Sequence, residues 1–287
     1  MGVEGKTHFD TRRPLNASPG LARELFPGGE IAVWEHSKLL SDTEVVASLT
    51  SDDMPLPATD DRENYYGDRH LEYWLSGYAD SCKLQPYLGL GAGRRTHLDF
   101  GGATGRVARH LSRHPNLECW LCDINANWIA WIDQFFNRPL FAFQNRIHPT
   151  LPLEDRYFDL VTAFSVFTHL DHDEIPWLLE LRRIVKPGGF LYLTILDESV
   201  WDRLKDPQWE WLRQSLARGK NDELLIERCQ RPLGERLVLE YSDAEAYNIN
   251  TFLPRQYVQR KWGPLFRSIR FIEDHHNYQT VVVLERH

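Results

Sequence analysis

Among 287 residues there are four cysteines and two methionines, and no apolar run approaches the roughly 18 residues of a membrane-spanning helix. Each shortage excludes a class of protein. Four thiols in a chain this long do not make a disulfide framework. Cys119 and Cys122 form a C-x-x-C inside ECWLCD, but that segment reads as a strand. Successive side chains on a strand alternate faces, so the two thiols point to opposite sides. There is no second C-x-x-C, the twelve histidines are scattered, and the adjacent His275 and His276 cannot face one ion, so no metal is expected. Positive charge is also scarce: 33 basic against 41 acidic residues give a formal charge of -8. That argues against a general grip on a phosphate backbone, although a local basic groove stays open. Residues 1–16 lack the apolar centre of a secretory signal. The expectation is a cytoplasmic protein that binds neither nucleic acid nor membrane.

What is present is enough for a core, since 42% of the residues are hydrophobic. The length suits one large α/β domain with an appended region, or two small domains. Residues 1–58 are polar and rich in turns (PLNASPG, LFPGGE, MPLPATD), with a short apolar patch around Ile31 to Trp34. Residues 68–88 predict a helix, with Leu71, Trp74, Leu75, Tyr78 and Leu84 at helical spacing. The preceding RENYYGD reads equally as a cap and linker or as a lid whose Tyr65 or Tyr66 closes over a ligand.

From Arg94 onward short apolar strands alternate with helices, the pattern of a doubly wound parallel sheet. The informative stretch is His97 to Leu111, HLDFGGATGRVARHL: a buried strand, a glycine-rich turn, and a helix expected to open near Thr104. Gly101, Gly102 and Gly105 allow positive φ and close approach of a ligand, with helix N–H groups aimed at the same place. A dinucleotide fingerprint would need glycine where Ala103 and Arg106 stand. Asp99, just ahead of the loop, suits a cationic or hydroxyl-bearing ligand better than a phosphate, which it would repel. Strand two ends at Asp123, 24 residues after Asp99, near the spacing at which an acid reaches a ribose hydroxyl. Capping of the helix 126–136 is its alternative role, one that Asn125 could take over.

DFGGATGR resembles the nucleotide-loop motif of class I S-adenosylmethionine-dependent methyltransferases, [DE]-x-G-x-G-x-G. Ala103 departs from it, tolerably if its φ is negative. FDLV, SVFTHL and ELRRIVKPGG, together with DINANWIAW after strand two, resemble a bacterial methyltransferase subgroup found with glycosyltransferases and in specialised metabolism. The resemblance covers roughly residues 62–195 and, loosely, the last 35. It implies a Rossmann-like α/β fold, a seven-stranded mostly parallel sheet with a final antiparallel hairpin, here FRSIRFIED and TVVVLERH. It implies residues 1–88 as an N-terminal extension with a lid helix and 89–287 as the methyltransferase domain. Residues 197–252 are an insertion expected to cover the acceptor pocket, with a tryptophan-rich helix (Trp201, Trp209, Trp211) and two β-like runs, LLIERCQ and RLVLEY. Those aromatic residues read equally as core. Lys186-Pro187-Gly188-Gly189 is expected to end a helix with a left-handed cap.

The cofactor implied is S-adenosyl-L-methionine, held by Tyr66, Asp99, Gly101, Gly102, Gly105, Asp123, Ile124, Asn145 near the adenine, and Ser165. His169, just after strand four, is the candidate general base, because imidazole titrates near working pH; hydrogen bonding to the local backbone is its structural alternative. Asp171 and His172 are weaker candidates on the same turn. The expected reaction is methyl transfer to a small-molecule acceptor, an oxygen of a sugar or specialised metabolite. The alternatives are an amine or peptide-like metabolite as acceptor, or a cofactor-binding regulator without turnover. A homodimer stays open.

Overall fold

The computed structural model describes residues 39, 41–91, 93–217, 222–240 and 249–287. The expected apolar patch at Ile31 to Trp34 lies outside them. In chain order the elements are α1 (Thr43–Thr50), α2 (His70–Leu88), β1 (Arg95–Phe100), α3 (Ala108–Leu111), β2 (Leu117–Asp123), α4 (Ala126–Phe135), β3 (Phe141–Gln144) and β4 (Phe158–Ala163). There follow α5 (Glu174–Ile184), β5 (Val185–Ile195), α6 (Glu198–Arg203), α7 (Glu210–Ala217), α8 (Asp222–Cys229), β6 (Leu237–Glu240), β7 (Ile249–Phe252), α9 (Arg255–Lys261), β8 (Ser268–His276) and β9 (Gln279–Glu285). Seven strands form one sheet in the order β3-β2-β1-β4-β5-β9-β8, and β6 and β7 form a second, two-stranded sheet. This is the Rossmann-like arrangement with its closing antiparallel hairpin.

The contacts divide the chain into two compact units. One comprises the described residues up to Arg94 together with Gly102–Asn145. Here Asp42 caps α1 by accepting from the N–H of Glu44, and Val45 and Leu49, four apart, turn one face inward. Both pack with Leu56, Leu71, Trp74 and Leu75, and α2 stops where Gly89 takes φ +57°. A buried ion pair ties the segment before α2 to α3: Asp52 accepts from Arg109 at 2.9 Å, Arg138 at 2.7 Å and the indole of Trp74 at 2.7 Å. Burial opposes the charge on Asp52, but the two arginines and the indole together hold its carboxyl well below the usual range.

The other unit comprises Arg95–Gly101 and Arg146–His287. Strand β4 is buried throughout and β5 nearly so from Phe190 onward, which is why both read as continuous apolar runs. β1 and β5 pair parallel to β4, and β9 lies antiparallel between β5 and β8. Expectation and structure differ at KPGG. Helix α5 ends at Ile184 with an extended Val185, and Lys186 to Gly189 already belong to β5, at the point where its register against β4 shifts. Gly188 has φ +74°, but inside the strand and not as a helix cap.

The insertion also departs from its reading. LLIERCQ falls within α8 and its end, since Leu225 and Cys229, four residues apart, are buried together against Leu212 and Leu216 of α7. The tryptophan-rich helix is broken in two by a 3₁₀ turn that starts at Pro207, leaving Trp201 buried on α6 and Trp211 exposed on α7. RLVLEY does contain a strand, β6, while its Tyr241 lies outside the described residues.

Candidate functional site

Gly101 and Gly105 are where the loop needs glycine. Each has strongly positive φ, +72° and +79°. A Cβ on Gly101 would stand 2.4 Å from Cγ2 of Val166, and one on Gly105 3.0 Å from the ring of Phe136. Ala103 also lies in the left-handed region, at φ +48°, so the negative angle that would make alanine easily tolerated is not met. An L-residue there carries about 1–2 kcal/mol of strain. The loop tolerates it because the Ala103 N–H donates to Oδ2 of Asp123 at 2.9 Å. The turns from Ala103 to Val107 also delay the helix: α3 opens at Ala108 and is only four residues long, so no long helix begins near Thr104.

In the first unit the predicted residues Gly102, Gly105, Asp123, Ile124 and Asn145 are joined by main-chain bonds. Gly102 N–H donates to the carbonyl of Cys122 at 3.2 Å, Gly105 N–H to Gly102 at 2.9 Å and Asn145 N–H to Asp123 at 3.0 Å. The Gln144 amide donates to the carbonyl of Ile124, whose side chain is exposed. Asn125 caps α4, freeing Asp123 from that task, and its own N–H donates to Oδ1 of Asp123 at 2.8 Å. Burial pushes the Asp123 carboxyl up to about 6; the main-chain N–H groups of Asn125, Ala103 and Ile124 partly offset this and the nearby charge of Glu63 adds to it. Glu63 was not singled out in the sequence. It sits in the turn at 63–67, where Glu63, Asn64 and Tyr66 all have positive φ, and no periodicity signals such a turn. Tyr66 packs against the Val45 and Leu49 cluster beside Tyr65, and Tyr65 covers the guanidinium of Arg106. Tyr73, also unpredicted, meets the hydroxyl of Thr104 at 3.1 Å.

In the second unit, Asp99 is buried and accepts from Thr162 at 2.8 Å. Ser165, two residues past the end of β4, has φ +57°; its N–H donates to Thr194 at 2.7 Å and its hydroxyl meets the amide of Gln279 at 2.8 Å. His169 ends a short 3₁₀ turn, and its Nδ1 lies 2.8 Å from the carbonyl oxygen of Ile249. A carbonyl only accepts, so Nδ1 carries the proton and Nε2 is the acceptor of the ring. Asp171 is engaged by Arg236 at 2.7 Å, and His172 is exposed.

Arg236, just before β6, and Thr251 of β7 hold this turn and the start of α5 at three further points. Thr251 donates to the carbonyl of Leu170 at 2.7 Å, and Arg236 holds both Asp171 and Glu174. Glu174 is buried and also accepts from the indole of Trp262 at 2.6 Å and the hydroxyl of Tyr257 at 3.3 Å. Burial raises its carboxyl above the usual value despite these donors. The contacts are long-range, between Arg236 and Asp171 or Thr251 and Leu170, and no local sequence pattern announces them.

Among the described residues no helix is long and apolar enough to cross a membrane, and no group of three or more metal-ligating side chains converges.

Residues 98–193 match the family model described as a methyltransferase domain. Ubiquinone/menaquinone biosynthesis C-methyltransferase UbiE of Cupriavidus taiwanensis is 32% identical over 112 residues, covering 38% of this chain and 45% of that protein. The corresponding protein of Ralstonia pickettii is 31% identical over 117 residues, with the same coverage. The chain thus spans less than half the length of the curated relatives it matches. Among solved structures it is similar to 1,6-didemethyltoxoflavin-N1-methyltransferase of Burkholderia thailandensis, crystallised with its substrate and S-adenosylhomocysteine. The TM-score is 0.49 and the identity 10%, over 79% of this chain and 86% of that one. A SAM-dependent methyltransferase of Methanosarcina mazei gives a TM-score of 0.47 at 16% identity, over 71% and 96% of the two chains.

Proposed function

We propose that the protein transfers a methyl group from S-adenosyl-L-methionine to an oxygen of a small-molecule acceptor, a sugar or a specialised metabolite. The cofactor, when bound, supplies a methyl group on a sulfonium sulfur, already activated for displacement. The residues assigned to hold it are Tyr66, Asp99, Gly101, Gly102, Gly105, Asp123, Ile124, Asn145 and Ser165. The observation that carries the cofactor reading is Asp123. Two main-chain donors fix its orientation, and burial leaves a carboxyl near 6 that gains from further hydroxyl donors such as those of a ribose.

His169 is assigned as the base. With Nδ1–H committed to Ile249, Nε2 is the nitrogen that accepts the proton of an acceptor hydroxyl. The curated relatives are named as C-methyltransferases and the Burkholderia protein as an N-methyltransferase. A fixed imidazole tautomer favours oxygen here, because an amine that is already neutral needs less help from a base. The insertion at 197–252, tied to the turn beside His169, is assigned to the acceptor side.

Thermal unfolding with ligands tests the cofactor reading. S-adenosylhomocysteine should raise Tm, since a ligand that binds only the native state stabilises it by mass action. No shift at saturating S-adenosylhomocysteine, with a shift from NAD instead, would overturn it. Labelled cofactor incubated with sugars, phenols and amines then identifies the acceptor class.

A further inference from the structure

Behind Asp99 stand two buried polar side chains that the proposed reaction does not use. His97 and Asp99 are two apart on β1 and so share a face, and Thr162 of β4 is the register partner of Asp99. His97 and Thr162 are fully buried and Asp99 is 3% exposed. Nε2 of His97 lies 3.0 Å from Oγ1 of Thr162, and the Thr162 hydroxyl lies 2.8 Å from Oδ1 of Asp99, against 3.4 Å to the carbonyl of Leu98.

One hydroxyl has one proton. If Nε2 of His97 were the bare nitrogen, it would compete with Asp99 for that proton, and Nδ1–H would be a buried donor. Nδ1 has no partner among the described residues, so that tautomer leaves a donor unsatisfied, at about 1–3 kcal/mol. With the proton on Nε2 every hydrogen has an acceptor: His97 donates to Thr162, and Thr162 donates to Asp99. Burial also depresses the imidazole to about 3, so the ring is neutral and adds no charge.

We infer that His97 and Thr162 are positioning residues, a directed hydrogen-bond relay that ends on Oδ1 of Asp99 and holds its carboxylate in one orientation. The inference rests on the cofactor reading above, which assigns Asp99 to the cofactor. Asp99 itself is the contacting group; the other two act only through it.

The test combines a double-mutant cycle with a direct reading of the tautomer in the full-length chain. Thr162→Val keeps the shape and removes the hydroxyl. It should weaken S-adenosylhomocysteine binding by about tenfold in calorimetry, the loss of one hydrogen bond to a charged group, and Thr162→Ser should restore it. In an Asp99→Ala background, which removes the accepting oxygen, the same Thr162→Val change should alter affinity less than about twofold, because the relay has lost its terminus. A purely structural threonine would give the same penalty in both backgrounds, and that result would overturn the inference. The long-range ¹H–¹⁵N spectrum of the imidazole, recorded on wild type, should show His97 protonated at Nε2; protonation at Nδ1 refutes the relay whether or not any variant folds. If wild type binds no S-adenosylhomocysteine, the cofactor reading falls and takes the role of Asp99 with it, which the histidine spectrum alone would not have revealed.

Discussion

The Nδ1–H of His169 donates to the main-chain carbonyl of Ile249 across 2.8 Å, so the first residue of β7 decides which ring nitrogen carries the proton. Backbone hydrogen bonding and general base chemistry were competing roles for this residue when only the sequence was considered. In the structure they are compatible, since the first orients the second.

His169→Gln can keep a donor to Ile249 but cannot take up a proton. Turnover should therefore fall roughly 100-fold or more while S-adenosylhomocysteine affinity stays nearly intact. The acid side of the wild-type pH–rate profile should disappear in the variant. A variant with near-wild-type rate and an identical profile would leave His169 with the backbone role alone.

Arg236 supplies the charge that offsets buried Glu174 and grips Asp171. Arg236→Met removes that charge while the carboxylate stays enclosed by Trp262 and Tyr257, so urea unfolding should show a loss of about 3 kcal/mol. Adding Glu174→Gln should recover part of it. A stability loss below about 1 kcal/mol, the range of an exposed pair, would show that the cluster is not tightly packed in solution.

Asp123 gives two pH trends of opposite sign. Its carboxyl, raised to about 6, holds its proton more tightly in the folded chain than in the unfolded one. The stability it contributes is complete below about pH 4 and is lost as pH rises through about 6. Ligand hydroxyls prefer the ionised form, so S-adenosylhomocysteine affinity should fall about tenfold between pH 7 and pH 5, and Asp123→Asn should be flat over that range. A wild-type affinity that does not change between these pH values would remove Asp123 from the site.

Ala103→Gly tests the strained turn. Relief of left-handed strain, about 1–2 kcal/mol, exceeds the extra chain entropy of glycine, about 0.5–1 kcal/mol. Chemical denaturation should show a net gain of about 0.5–1 kcal/mol. Unchanged or lower stability would mean that φ at Ala103 relaxes in solution.

The order of strands and helices from Arg95 to Ile195 was legible because buried strands and amphipathic helices leave opposite periodicities, and the closing hairpin showed as two apolar runs without a helix between. What escaped was set by contacts distant in sequence. LLIERCQ has a strand-like apolar run, yet burial of Leu225 and Cys229 against α7 selects the helix. The sign of φ at Ala103 depends on a carboxylate twenty residues away. Loop, strand-end acids and His169 could be named as candidates from motif and spacing; Thr162, Glu63 and Ile249 could not, since each meets them only through a contact that folding supplies.

The pairing of β9 with β5 also bears on how the chain is made. Ile195 finds its partner in Thr280, 85 residues later. At about 5–20 residues per second of synthesis, the β5 edge waits about 4 to 17 s on the ribosome before that partner is even assembled. During that interval an apolar strand stands with one row of main-chain groups unpaired, the usual template for association between nascent chains. The parallel bridge of Leu196 to Phe252, and the Leu253 N–H bond to Leu196 at 2.7 Å, become available about 30 residues sooner and engage the very end of that strand. The end of β7 then acts as an early clasp on the growing sheet, so yield at low temperature and in chaperone-poor hosts should track the integrity of β7 more closely than that of the β8–β9 turn.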